Sequence, residues 1–285
     1  MPTNGMCSTG AAEWRLLIDD AADAAWNMAA DEAMLQMYAA GKIPPTLRFY
    51  SWQPRAVSLG YFQQARREVD FEECEKRGIR VVRRLSGGRT VLHDREVTYS
   101  LVVKESESYV PEGVTASYLY FSRGIASGLT SLGLDPRLHS PRPTAGISSA
   151  APLHSAACFD APSHYELTVG GRKIVGSAQT RRDGVLLQHG SILLDFDPES
   201  LVDVFAITAE ERRRKLLEEL SRRAAGLNAV AGRQFEFMEV ASAVASGISA
   251  QCGLCLKSAQ RDLLELKLVQ ELEQKYRSQE WTLRR

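Results

Sequence analysis

Residues 96–104 alternate between apolar and polar positions. Val97, Tyr99, Leu101 and Val103 fall on one side, which predicts a β-strand with one buried face. Apolar runs at 14–18, 46–50, 57–61 and 79–85 predict further strands. In residues 21–40 the period changes. Trp26, Ala30, Ala33 and Met37 recur at helical spacing, and Pro44-Pro45 lies just beyond, so this segment predicts an amphipathic helix. Residues 70–76, closed by Gly78, and 118–132, closed near Gly133, predict two more helices. Residues 165–169 and 172–176 flank Gly170-Gly171. A two-residue glycine link between strand-like runs predicts a hairpin, because both turn positions take a positive φ. The hairpin pairs Val169 with Arg172 and Thr168 with Lys173. It puts Lys173 on the face of Thr168 and Glu166, away from Leu167 and Ile174. Residues 188–196 predict a last strand. From Pro198 onward the pattern is mostly helical, with a highly charged run at 210–225 and an amphipathic one at 260–275. A mixed sheet first and helices later gives an α+β reading, with the sheet flanked by helices. Residues 140–157, rich in Ser, Ala and Pro, show no period and predict a long loop.

Composition narrows the function classes. Lys plus Arg equals Asp plus Glu over 285 residues, so the formal net charge is zero. That argues against a dedicated nucleic-acid binder. Residues 1–12 lack the basic and apolar parts of a signal peptide, and no apolar run is long enough to span a bilayer. The five cysteines, Cys7, Cys74, Cys158, Cys252 and Cys255, are odd in number and scattered, which suits reduced thiols. The expectation is a cytoplasmic protein with no nucleic-acid or membrane partner.

Four stretches have residues suited to chemistry. The run from Arg83 to Asp94, Arg-Arg-Leu-Ser-Gly-Gly-Arg-Thr-Val-Leu-His-Asp, places paired glycines where a ligand can approach the backbone. A tight turn beside a solvated arginine pair has the same pattern, and no Walker A motif is present. Cys158 follows the long loop and precedes Pro162. A loop cysteine is either an accessible thiol or a small buried hydrophobe. Lys173 faces solvent or an active-site wall, and the small polar residues Gly176 to Thr180 after it suit a close-fitting surface. Cys252 and Cys255 form a lone Cys-x-x-Cys, weak evidence for zinc. His-Glu-x-x-His and Gly-x-Ser-x-Gly are absent, so no metal centre and no nucleophile elbow is expected.

Taken in order, these stretches resemble the lipoate–protein ligase and octanoyltransferase superfamily. The first looks like its Arg-Arg-x-Ser/Thr-Gly-Gly-Gly-Ala-Val-x-His-Asp motif. Gly171-Arg-Lys173-Ile-Val-Gly176-Ser-Ala-Gln179 looks like its catalytic-lysine segment. Cys158-Phe-Asp-Ala-Pro-Ser-x-Tyr165-Glu-Leu167 points to the Gram-positive branch of octanoyl-carrier-protein:protein N-octanoyltransferases. Arg89 and Thr90 depart from the ATP-using ligase pattern and agree with this branch.

The resemblance implies a biotin/lipoate–protein ligase catalytic fold, akin to class II aminoacyl-tRNA synthetases. It implies one transferase unit over 1–285, with a ligase-like core at about 41–256 and a C-terminal helical segment at 257–285. Cys158 and Lys173 are the implied catalytic pair. Arg84, Ser86, Gly87, Gly88, His93 and Gly176 are the implied substrate-binding residues. The donor is octanoyl-acyl carrier protein, and the acceptor is a lipoyl-domain lysine, typically that of the glycine cleavage H protein. No cofactor is required. Three alternatives stand beside this: an ATP-dependent lipoate–protein ligase, an octanoyl amidotransferase between lipoyl domains, and a non-catalytic binder of lipoyl domains.

Overall fold

A computed structural model describes residues 11–139 and 166–285. The predicted loop at 140–157 and Cys158 lie outside the described residues.

In chain order the strands are β1 (Ala12–Ile18), β2 (Thr46–Tyr50), β3 (Ala56–Leu59), β4 (Arg80–Arg83), β5 (Val91–His93), β6 (Glu96–Lys104), β7 (Arg137–His139), β8 (Glu166–Val169), β9 (Arg172–Arg182), β10 (Val185–Leu193) and β11 (Leu254–Ser258). Eight of them form a mixed sheet in the order β11-β1-β2-β6-β10-β9-β8-β7, and a small sheet runs β4-β3-β5. β1 is parallel to both of its neighbours, whereas β6 is antiparallel to β2 and β10.

β6 sits mid-sheet, and this placement governs the molecule. Its expected apolar face, Val97, Tyr99, Leu101 and Val103, joins the main core beneath the helices Val114–Ser131 and Phe237–Cys252. Those two helices touch backbone to backbone. A Cβ on Gly247 would lie 2.4 Å from the Gly124 carbonyl, so only glycine allows the approach. The polar face, which alternation assigns to solvent, is covered as well: Thr98 is 2% exposed and Ser100 0%. The helix Ala24–Ala39 and the small sheet lie over it.

Ala24–Ala39 begins at Asp23, whose carboxylate accepts from the Trp26 N–H at 2.9 Å and caps the first turn. Its alanines, Ala29, Ala30 and Ala33, are fully buried because the helix Leu263–Arg277 packs on its far side. A helix covered on two sides needs small side chains rather than one apolar stripe.

Several boundaries differ from expectation. Val114–Ser131 starts four residues early, β9 continues to Arg182, and β10 begins at Val185. Residues 254–258, expected within a helical region, form edge strand β11. Gly253, with φ +64°, ends the preceding helix and turns the chain to run parallel to β1. Cys74 and Cys252 are free and buried. No helix among the described residues is long and apolar enough to cross a membrane.

Candidate active site

The run from Arg83 to His93 is a brace, and its paired arginines, Arg83 and Arg84, are buried rather than solvated. Arg83 donates to the carbonyls of Gly60, Tyr61, Gln63 and Thr282. Arg84 points the other way. It donates to the carbonyls of Ser58, Gly87 and Arg89 and to the Ser58 and Ser86 hydroxyls. One guanidinium thus fixes the turn from Ser86 to Arg89 from inside. Gly88 takes φ +93°, and Gly60 packs so tightly behind it that a Cβ there would lie 2.0 Å from the Gly88 carbonyl oxygen.

This turn closes one side of a cavity of about 220 Å³ between the polar face of the large sheet and the small sheet. Met28 enters from the first helix, Gly176, Ser177 and Ala178 from β9, and Gly190 from β10. Two histidines, His93 and His189, also border it. Each imidazole is held at both nitrogens. His93 has Glu96 at Nδ1 and the Ser58 hydroxyl at Nε2, both at 2.8 Å. Trp52 stacks on its ring at 4.0 Å. His189 has Asp31 at Nδ1, 3.1 Å away, and the Ser86 hydroxyl at Nε2, 2.5 Å away.

Asp31 is buried at the centre of a set of donors. It accepts from Arg48 at 2.8 Å, Ser100 at 2.7 Å and Tyr50 at 3.1 Å, besides its contact with His189. Burial opposes its charge, but the hydrogen bond with His189 and the Arg48 cation outweigh it, so its pKa lies below the ordinary 3.8. Burial and the neighbouring Asp31 charge push the Tyr50 phenol well above its ordinary value, which keeps it a donor. Glu96 is less complete. It accepts from Thr98 and Ser191 as well as contacting His93, yet its second oxygen, Oε2, has no partner among the described residues.

The β8–β9 hairpin has the expected register, Thr168 opposite Lys173 and Val169 opposite Arg172, with Gly170 and Gly171 at φ +57° and +77°. Lys173 does not face solvent: it is 2% exposed, and its ammonium pairs with Glu166 at 3.0 Å. Lys173 itself stands three residues before Gly176, where its strand reaches the cavity wall.

Of the expected binding residues, Arg84, Gly88, His93 and Gly176 border the cavity. Ser86 and Gly87 stand one step behind, Ser86 against His189 and Gly87 with its carbonyl on Arg84. Asp31, Glu96, His189 and Ser191 went unread in the sequence. Their common signal is a polar residue inside an element otherwise packed with apolar or small ones. Among the described residues, no group of three or more His, Cys, Asp or Glu is placed to hold a metal ion. Fixed polar groups around a largely apolar slot are the layout of a small-molecule site.

The fold is that of lipoate–protein ligase catalytic domains. It superposes with TM-score 0.79 on a bi-partite lipoate protein ligase structure from Thermoplasma acidophilum, described with its E2 lipoyl domain, at 27% identity over 95% of this chain and 96% of that one. A lipoate-protein ligase A bound with ATP gives 0.76 at 26% identity, over 95% and 98%. The family model for the lipoyl protein ligase A/B catalytic domain matches residues 23–249. An octanoyltransferase LipM from Kyrpidia tusciae is 46% identical over 272 residues, 95% of this chain and 99% of the relative. The chain belongs to the lipoyl protein ligase A/B family, on its octanoyltransferase LipM branch.

Proposed function

We propose that the protein is an acyltransferase that takes an octanoyl group from octanoyl-acyl carrier protein onto Cys158 and passes it to a lysine of a lipoyl-domain protein, the glycine cleavage H protein. The observation that carries this reading is the 46% identity, over nearly the full length of both chains, to an octanoyltransferase. The apolar slot supports it. Each methylene buried there is worth about 0.8 kcal/mol, so a medium acyl chain anchors well.

In the first step the Cys158 thiolate attacks the donor thioester carbonyl. A C–S bond to Cys158 forms, the C–S bond to the carrier arm breaks, and the carrier leaves as a thiolate that takes up a proton. In the second step the neutral acceptor amine attacks the acyl-enzyme. A C–N bond forms, the C–S bond to Cys158 breaks, and the proton lost by the amine goes to the departing Cys158 thiolate. Thioester exchange is balanced and amide formation runs downhill, so no ATP enters. A thiol with an ordinary pKa of about 8.5 is only about 3% thiolate at pH 7. Lys173, held in place by Glu166, is the cation assigned to raise that fraction. Gly88, His93 and Gly176 contact the acyl group, and Arg84, Ser86 and Gly87 shape the turn. The chain acts as one unit in the cytoplasm, and its helix Leu263–Arg277 packs against the first helix.

Transfer from octanoyl-carrier protein to a lipoyl-domain protein without ATP is the expected activity. Activity only with free lipoate and ATP would instead identify an ATP-dependent ligase, as the likeness to the ATP-bound enzyme allows. Transfer only from an octanoylated lipoyl domain would identify an amidotransferase. Lys173→Ala is expected to move the alkylation of Cys158 to higher pH by about one unit or more. An unchanged alkylation profile removes the role assigned to Lys173.

A further inference from the structure

The outer side of the glycine turn, away from the cavity, presents a cationic surface. Tyr61 donates its N–H to the Ser86 carbonyl at 2.9 Å. Phe62 is 67% exposed, and its ring lies 3.9 Å from where a Cβ on Gly87 would sit. Three guanidinium groups converge on these rings from distant parts of the chain. Arg182, at the end of β9, lies 5.6 Å from the Tyr61 ring centre. Arg284 lies 4.5 Å from the same ring and 4.8 Å from Trp281. Arg285 lies 5.4 Å from Phe62.

Arg181 pairs with Glu105 at 2.9 Å, whereas no ion pair among the described residues holds Arg182, Arg284 or Arg285. The same cationic groups act on the titrating side chains beside them. Burial, then the charges of Arg284 and Arg285, lower the pKa of Arg83. The Tyr61 phenol is also lowered: a burial effect acts the other way, but the hydrogen bond and charge of Arg284 and the charge of Arg182 prevail. Guanidinium forks held over aromatic faces are preorganised for a phosphate.

We propose that this rim binds the phosphate of the phosphopantetheine arm that presents the octanoyl thioester. The inference rests on the carrier-bound donor proposed above. The two sides of one turn then serve two ends of one substrate: the acyl chain on the inner side and the phosphodiester on the outer. Charge selects the donor over the acceptor, because the acceptor's reacting group is a lysine and the rim repels cations.

The test is calorimetric binding of phosphopantetheine and pantetheine to the full chain and to its Arg182→Ala/Arg284→Ala variant. The wild-type chain is expected to bind phosphopantetheine at least about tenfold more tightly than pantetheine. The variant is expected to bind the two alike. Equal affinities in the wild type overturn the inference, and so does a phosphate preference that survives in the variant. Acylation by octanoyl-carrier protein, followed by intact mass, reports separately on the proposed activity. If the arm binds through its phosphate and no acyl-enzyme forms, the transferase reading fails while the phosphate site stands. If the acyl-enzyme forms and both arms bind equally, only the phosphate site fails.

Discussion

His93 and His189 face one cavity, and each has a carboxylate at Nδ1 and a serine hydroxyl at Nε2. Behind the rings the two halves differ. Asp31, behind His189, also accepts from Arg48, Tyr50 and Ser100, and Arg48 is paired on its other side with Asp19. Glu96, behind His93, has no arginine or lysine among its described partners and leaves one oxygen unpartnered. The His189 half is therefore a structural junction tying the first helix, β2, β6, β10 and the glycine turn together. The His93 half joins β5 to β3, β6 and β10 without a buried arginine behind it, and the stacked Trp52 reinforces it. Similar first contacts thus serve different purposes, and the layer behind them decides which.

Removing Asp31 is the most damaging way to test that contrast. Asp31→Ala strips an acceptor from Arg48, Tyr50, Ser100 and His189 at once and leaves the buried Arg48 cation with a single carboxylate. A loss of about 3–5 kcal/mol is expected in denaturant unfolding. A loss below about 1 kcal/mol would show that the junction does not hold the fold together. A milder change sharpens the point through pH. Because the Asp31 pKa is lowered by folding, its contribution is present above the unfolded value, near 3.9, and fades as pH falls through the folded value. The acid side of the stability–pH curve is expected to be shallower in Asp31→Asn than in the wild type. An identical slope would mean that other carboxylates set it. The smallest effect belongs to Glu96→Gln, which keeps an acceptor for His93, Thr98 and Ser191 and removes a charge whose second oxygen has no partner. Its stability is expected to stay within about 1 kcal/mol of wild type. A loss matching that of Asp31→Ala would erase the distinction between the two halves.

The same contrast separates what was legible in the sequence from what was not. The glycine turn, His93 and the Lys173 hairpin announce themselves through local rules: paired glycines, a two-residue link and a motif. The register at Lys173 followed from the turn because positive φ at Gly170 and Gly171 allows one pairing. Asp31 and His189 carry no such mark. Asp31 is one of four polar residues in an alanine-rich helix, and its partners are 17 to 158 positions away in sequence. Thr98 and Ser100 misled in a related way. Strict alternation marks a half-buried strand, yet both faces of β6 are covered, so its polar residues line the interior between two layers. Edge strands β7 and β11 are too short to assert a period of their own, and their pairing depends on β8 and β1.

The account as a whole turns on Cys158 as the residue that carries the acyl group. Incubation of the protein with octanoyl-acyl carrier protein, followed by intact-mass measurement, tests this directly. The predicted result is a gain of one octanoyl group that is absent in Cys158→Ala. No gain in the wild type, or the same gain in Cys158→Ala, would contradict it.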